Sequence, residues 1–436
     1  MTQHNFQGMG EAEFLAPDRI RRLQEELLAR HLAHVASASP FYRQRFREQG
    51  IDASRVSLEN LAQIPCTTKD QLAERNDDFL AVPMSQVVDI VLSSGTTGRP
   101  TTVMYTESDL ERLAYNERIS FAGCGLGPSD VVLLTCTMDR CFVAGLAYFS
   151  GVRSLGAAAI RNGLSSVESH LEIIRRLKPT VLVGVPSFLH KLGRFLESQG
   201  LDPACSGVAR LVCIGEPVRD RAMNFLKIGE NLERLWGARV YSTYASSEIV
   251  TSFCECTAQA GGHLHPDLAV VEIVDERGAA LPAGEVGEVV VTPLGTQGMP
   301  LVRFRTGDLS FLMDEPCRCG RTSPRLGPIL GRKQQMLKLR GTTIYPTSIN
   351  AVLDAYPGIS EYYVAASSDS NLSDRVEVFV SVGDPRCSAE RIMDKLQAHL
   401  RVRPQVVIAS EEQVKSRVYP GNARKMIRFV DTRERP

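Results

Sequence analysis

The chain has 436 residues, of which 43% are hydrophobic and 23% charged, with 50 basic and 50 acidic side chains and a formal net charge of zero. That length implies two or more domains, and the balanced charge excludes the basic footprint of a nucleic-acid binder or an anionic-membrane ligand. Glu11 and Glu13 lie in an N-terminus with no apolar stretch, and Asp139 and Arg140 interrupt Val131 to Tyr148, so neither a secretory signal nor a membrane span is expected. A cytoplasmic location follows, where eleven cysteines argue for thiols and metal ligands rather than a disulfide framework.

In chain order, residues 17–48 read as helix, because Leu23, Leu27, Leu28, Leu32 and Val35 recur at helical spacing among charged residues. Thr67-Thr68-Lys69-Asp70 opens a short helix with a threonine cap. Val87 to Leu92 reads as a buried strand that runs into Ser93-Ser94-Gly95-Thr96-Thr97-Gly98-Arg99-Pro100-Thr101-Thr102. Glycines let a backbone approach a ligand, consecutive N–H groups form an anion-binding concavity, and Arg offers a fork for phosphate oxygens. The stretch lacks P-loop spacing. By itself it is either a polyphosphate grip of another kind or a polar turn between two strands.

Glu107 to Phe121 has helical spacing. From 131 to 215 strands and helices alternate: strands Val131–Leu134, Ala157–Ile160, Val181–Gly184 and Leu211–Ile214, and helices Gly145–Leu155, Ser166–Leu177 and Ser187–Gln199. Continuous apolar strands between helices predict a parallel sheet covered on both faces, with ligands beyond the carboxyl ends of the strands. Thr135-Cys136-Thr137, Pro186-Ser187, Gly215-Glu216-Pro217 and Tyr241-Ser242-Thr243-Tyr244 lie there. After residue 265, Val270–Val274, Gly287–Thr292 and Leu301–Thr306 read as short antiparallel strands. From Gly331 a small α+β pattern follows: a strand at Met336–Leu339, a helix at Pro346–Ala355, strands near 361–367 and 376–382, and a helix at Ala389–His399. The expected class is α/β: a large domain, 1–331, with parallel-sheet αβα layers and a β subdomain over about 265–330, then a small α+β domain, 332–436.

Four groups carry chemistry. Glu248 closes a hydroxyl-rich turn, where its carboxylate suits Mg²⁺ beside a nucleotide phosphate or simply faces solvent. Asp308, in Arg305-Thr306-Gly307-Asp308 after an apolar strand, is placed to accept two ribose hydroxyls or is an ordinary turn residue. Cys256, His263, Cys317 and Cys319 suit a closed tetrahedral Zn²⁺ site, with Cys254 and His265 as competing ligands and scattered buried thiols as the alternative. Lys425 is in isolation a solvated charge.

Together and in this order, over about residues 90–430, these stretches resemble the adenylate-forming superfamily of acyl-CoA ligases, and its phenylacetate-CoA ligase branch. Ser93 to Thr101 is similar to the family's phosphate loop, with Arg99 where Lys is usual. Gly215-Glu216-Pro217 resembles the turn that meets adenine, one residue shorter. Tyr244-Ala245-Ser246-Ser247-Glu248 resembles the segment whose aromatic ring lies by adenine and whose Glu binds Mg²⁺, and Asp308 falls in the ribose motif. The Cys/His set resembles a zinc site found in part of the branch. Gly331-Arg332, Met336 to Gly341 and Tyr345 to Ser348 resemble the hinge and the start of a mobile C-terminal domain, and Lys425 falls at the catalytic lysine.

The resemblance implies an aryl-acid:CoA ligase using ATP, Mg²⁺ and CoA, with structural Zn²⁺. It implies Lys425, Glu248 and Thr96 in catalysis. ATP or AMP would be bound by Ser93, Ser94, Gly95, Thr97, Gly98, Gly215, Glu216, Pro217, Tyr244 to Ser247, Asp308 and Arg332. Cys141, Phe142, Ala144 and Gly145 would line the acyl pocket, and Arg340 and Gly341 would meet the thiol. Thr137 to Gly145 lacks the Tyr/Gly-rich pattern of phenylacetate enzymes, so an aryl acid with a polar ring substituent, met by Asp139, Arg140 or Cys141, is expected. Gln334-Gln335 replaces the hinge's usual acidic pair, and Arg424 replaces the Gly before the lysine. Other acceptors compatible with the fold are a carrier-protein thiol, an amine, or the phenol of a coenzyme F390 synthetase-like AMP transfer. A catalytically inactive acyl-nucleotide sensor is the reading from another class. A homodimer is compatible with the sequence; nucleic acid and membrane are not expected partners.

Overall fold

The computed structural model describes residues 10–93, 101–339, 342–368, 374–384, 386–420 and 426–433. Ser94 to Pro100, Arg340, Gly341 and Lys425 lie outside the described residues. The chain forms two compact units: Met1–Thr306 with Ser310–Ile329, and Gly307–Leu309 with Leu330–Pro436.

In the first unit, α1 (Pro17–Ala38) buries Leu27, Leu28, Leu32 and Val35 along one stripe. It stops short of residue 48. Pro40 holds Ser39 extended, with ψ 119°, and α2 (Pro40–Gln49) starts with that proline in its first turn. Thr68 caps α3 (Lys69–Glu74) through a reciprocal capping box with Gln71. β1 (Val87–Ser93) pairs antiparallel with β2 (Thr101–Thr106), Ser93 opposite Thr101. β1 is not the buried strand its apolar run suggests: Val91 is buried, but Val88, Ile90 and Leu92 are exposed. The hairpin is a two-stranded sheet of its own, and the exposed side chains alternate along one face of the pleat.

Helix α4 (Glu107–Gly123) precedes β3 (Val131–Leu134), α5 (Val143–Ser154), β4 (Ala158–Arg161) and α6 (Val167–Leu177). Then come β5 (Val181–Gly184), α7 (Pro186–Ser198), β6 (Arg210–Ile214), α8 (Lys227–Trp236), β7 (Arg239–Ser246) and β8 (Thr251–Cys254). The sheet order is β4-β3-β5-β6-β7-β8, parallel except for β8, with Leu133, Leu182, Leu211 and Val240 in register. Alternation along the strands divides the core. Val132, Leu134, Val183 and Val212 pack with Phe121 and Tyr148 of α4 and α5 on one face. Leu133, Leu182, Leu211 and Val240 pack with Leu189, Leu192 and Trp236 of α7 and α8 on the other. Helix α8 is absent from the sequence reading.

Glu117 of α4 is buried in the first of these layers, where a Cβ at Gly151 of α5 would meet the Glu117 Cβ at 2.3 Å. Burial pushes its carboxyl up to about 7 against the pull of Ser252, His265 and Asn116. An acid with a raised native pKa holds its proton where the unfolded chain has lost it, so stability falls from about pH 4.5 to about pH 7 and is flat above. Replacing Glu117 by Gln is expected to remove this dependence and to stabilise the protein at pH 8 by an amount on the order of 3 kcal/mol. Urea unfolding of both proteins across that range checks it; a difference independent of pH would refute it.

The β subdomain pairs Ala269–Val274 with Gly287–Pro293 antiparallel. The next strand is Phe304–Ser310, not Leu301–Thr306. Arg303 has φ +48°, outside the extended region, and its buried guanidinium is fixed by both Glu272 oxygens, at 3.0 and 2.9 Å, and by the Ile64 and Gly278 carbonyls. Arg305 to Asp308 therefore lies inside a strand rather than at its closing turn, with Gly307 at φ +78° supplying the irregularity.

In the second unit, Leu337–Leu339 pairs with Thr342–Ile344. A four-stranded sheet runs Gln405–Ile408, Asp374–Val382, Ile359–Ser368, Phe429–Asp431. Val364, Val378 and Val380 share a core with α9 (Pro346–Asp354) and α10 (Ala389–Leu400); α11 (Glu411–Val418) completes the helices. Among the described residues no helix is long and apolar enough to cross a membrane, and the eleven cysteines are free thiols.

Candidate active site

The site grows from the carboxyl ends of β5, β6 and β7. β6 runs into Gly215-Glu216-Pro217, with Gly215 at φ +74°, a conformation that favours glycine. The Glu216 carboxylate accepts from the Ser187 backbone N–H at 3.0 Å and from its Oγ at 2.9 Å. Ser187 opens α7, where the helix dipole favours negative charge, so this latch fixes the β6 turn against the end of β5. Next to it, β7 carries Tyr244, Ala245 and Ser246. The Tyr244 ring is partly buried and stacks on Phe253, with centroids 6.5 Å apart. Tyr105 of β2 donates to the Ser247 carbonyl at 2.9 Å, which ties this turn to the hairpin bearing Ser93.

Glu248 ends the turn with its side chain almost fully buried, bonded to the Ser246 hydroxyl. Lys69 of α3 places Nζ 4.0 Å from Glu248 Oε1. A buried carboxylate with a neighbouring hydroxyl is a hard-oxygen donor set that fits Mg²⁺. The sequence places Lys69 only at a helix start; the packing of α3 is what brings it to Glu248. In the second unit, Asp308 and Arg332 are cross-strand partners, with Arg332 Nε 3.1 Å from Asp308 Oδ1.

In the predicted acyl segment, Arg140 and Cys141 both have positive φ, 61° and 53°, and the Cys141 carbonyl accepts from Leu92 N–H at 2.8 Å. Asp139, Arg140 and Cys141 are exposed, whereas Phe142 and Ala144 are partly buried. Gly145 packs so closely that a Cβ there would meet the Thr137 carbonyl at 2.4 Å.

The metal-candidate residues converge. One donor atom each from Cys256, His263, Cys317 and Cys319 lies within 4.8 Å of the other three. Cys256 and Cys317 sulfurs are 3.6 Å apart, and Cys319 Sγ is 3.4 Å from His263 Nε2. A tetrahedral zinc with Zn–S bonds of about 2.3 Å places its ligand atoms roughly 3.5–3.8 Å apart, so the set fits. Burial drives His263 down to about 4, leaving the neutral imidazole that metal ligation requires, and its Nδ1 lies 3.2 Å from Ser323 Oγ. The competing residues are engaged elsewhere: Cys254 Sγ lies 3.1 Å from Cys124 Sγ, and the His265 ring bridges Ser120 and Glu13.

A parallel sheet with these polar turns at its carboxyl ends has the architecture of an α/β nucleotide-binding enzyme. Residues 21–298 match the AMP-binding enzyme family and residues 341–433 its C-terminal domain. The chain belongs to this adenylate-forming family. It is 35% identical to the phenylacetate-coenzyme A ligase of Thermus thermophilus, over 86% of this chain and 84% of that one. It is 32% identical to the phenylacetate-coenzyme A ligase of Pseudomonas putida, over 85% and 83%. A solved structure of 2-hydroxyisobutyryl-CoA ligase aligns with TM-score 0.85 at 23% identity, over 97% of this chain and 91% of that chain, a likeness of fold.

Proposed function

We propose that the chain is an ATP-dependent aryl-acid:CoA ligase. The observation that carries this reading is that Gly215-Glu216-Pro217 follows the carboxyl end of β6 while Tyr244 to Glu248 forms the end of its parallel neighbour β7 and the turn after it, in a chain about one third identical to phenylacetate-CoA ligases. A carboxylate is a poor electrophile. Its oxygen attacks the α-phosphorus of ATP, the bond to the β-phosphate oxygen breaks, and pyrophosphate leaves. Charge gathers on the phosphoryl oxygens, where fixed donors lower the barrier.

In this reading Tyr244 and the Gly215 turn hold adenine, and Asp308 accepts the ribose hydroxyls, with Arg332 orienting it. Ser93 to Gly98, with Thr96 and Thr97 as hydroxyl donors, grip the departing phosphates. Glu248 is the residue to hold Mg²⁺, which would supply charge neutralisation, and Lys69 shares the neutralisation of that carboxylate. Lys425 bridges α-phosphate and carboxylate. The CoA sulfur then attacks the acyl carbon, the C–O bond breaks and AMP leaves. Residues 332–436 act as the mobile domain that carries Lys425 and presents Arg340 and Gly341 to the thiol, with Gln334-Gln335 at its hinge. Phe142, Ala144 and the backbone around Gly145 border the aryl ring. Cys141 is exposed, and a ring-contacting role for its thiol has no support in its burial. The Cys/His cluster holds a structural zinc.

Carboxylate-dependent pyrophosphate–ATP exchange, screened over benzoates, hydroxybenzoates, aminobenzoates and arylacetates, tests the first step. CoA and mass detection of the thioester test the second. Exchange with an aryl acid, followed by thioester on adding CoA, is expected. No exchange with any acid rejects the enzyme reading, and exchange without CoA thioester reassigns the acceptor.

A further inference from the structure

Glu13 lies ahead of the first long helix, in a single turn at Glu11–Phe14, yet it is only 1% exposed. Its carboxylate binds Arg321 Nε through one oxygen and His265 Nδ1 through the other. Its carbonyl accepts from the Thr322 and Ser323 N–H groups, at 2.8 and 3.1 Å, and from Thr322 Oγ1 at 3.1 Å. Arg321 also sends Nη1 to within 3.6 Å of Cys319 Sγ and lays its guanidinium over the Phe14 ring, 4.9 Å from the centroid. Ser323 meets His263. Residues 321–323 thus touch two of the four candidate ligands on one side and the N-terminal segment on the other.

From this geometry we infer that the segment Gly10–Leu15 is an outer layer of the metal cluster, held by a Glu13–Arg321–Cys319 relay, so that metal loading and docking of the segment are coupled. The inference rests on the zinc reading above. Three thiolates around Zn²⁺ leave net negative charge, and Arg321 is the cation placed to offset it. Glu13 in turn is a buried carboxylate that depends on Arg321, because an unpaired buried charge is costly. Removing the metal unties Cys317 and Cys319 from Cys256 and His263, and so frees the loop that carries Arg321 and holds the Glu13 carbonyl. Linkage makes the effect reciprocal: the factor by which bound metal favours docking of the segment is the factor by which docking favours metal binding.

The test uses the full chain. Zinc content is measured first by elemental analysis, and zinc transfer to a chromogenic pyridylazo chelator is then timed for the wild type, Glu13→Gln and Arg321→Met. Both variants are expected to release zinc about 10- to 100-fold faster. Independently of any variant, hydrogen exchange of wild-type residues 10–16 is compared before and after metal removal. Selective loss of protection there, with β5 and β6 unchanged, is expected. Unaltered release in both variants, unchanged protection at 10–16, or uniform loss across the sheet overturns the coupling. Absence of zinc from the purified protein together with failure to take it up overturns the metal reading itself, which elemental analysis reveals separately.

Discussion

Replacing Lys425 by Ala is expected to slow acyl-adenylate formation by about 10²–10³-fold or more while thiolysis of pre-made acyl-adenylate by CoA stays within a few-fold of wild type. The asymmetry follows from the proposed chemistry. Negative charge builds on the α-phosphate and the attacking carboxylate only in the first half-reaction, so a cation bridging them acts there alone. The described residues two and three positions further on are anchored within the second unit. Ile427 N–H donates to the Val418 carbonyl at 2.8 Å, and Arg428 is anchored by Asp354 at 2.7 Å, by the Tyr362 hydroxyl at 2.6 Å and by the Tyr362 ring at 4.3 Å. Pyrophosphate exchange reports the first half-reaction, and loss of chemically prepared acyl-adenylate on adding CoA reports the second. Equal losses in the two assays would remove Lys425 from the adenylation step.

The second large effect concerns the metal cluster. Cys317→Ser is expected to lower zinc content from one equivalent to a small fraction and to reduce the melting temperature by roughly 10 °C, since several kcal/mol of metal binding is lost and each shifts a large domain by about 2–4 °C. Cys317 bridges the loop after Asp308 to the segment after β8, so its loss unties two stretches 61 residues apart in the chain. Cys205→Ser, at an exposed thiol outside the cluster, is the control and should change neither quantity. Thermal unfolding with parallel elemental analysis decides it. Full zinc content in Cys317→Ser would exclude that residue as a ligand.

Much of the architecture is written in short-range pattern. Val131–Leu134, Val181–Gly184 and Leu211–Ile214 are continuous apolar strands between amphipathic helices, and a parallel sheet covered on both faces is the structure that buries them. The convergence of Cys256, His263, Cys317 and Cys319 is legible because both pairs lie in short polar loops. What the sequence conceals depends on tertiary partners. The left-handed turn at Arg303 is stabilised by Glu272 and distant carbonyls, and so displaces the strand that holds Asp308. Lys69 reaches Glu248 from 179 positions away, and Glu13 reaches Arg321 across 308. The exposed face of β1 is invisible in composition, because Val88, Ile90 and Leu92 would look the same in a core.

The central claim is that an aryl carboxylate oxygen attacks the α-phosphorus of ATP. An accepted acid labelled with ¹⁸O in both carboxylate positions tests it most directly, with mass analysis of AMP and thioester after turnover with CoA. One label in the phosphoryl group of AMP and one in the thioester carbonyl is the predicted result. Unlabelled AMP, or label in inorganic phosphate with ADP as the nucleotide product, would contradict it.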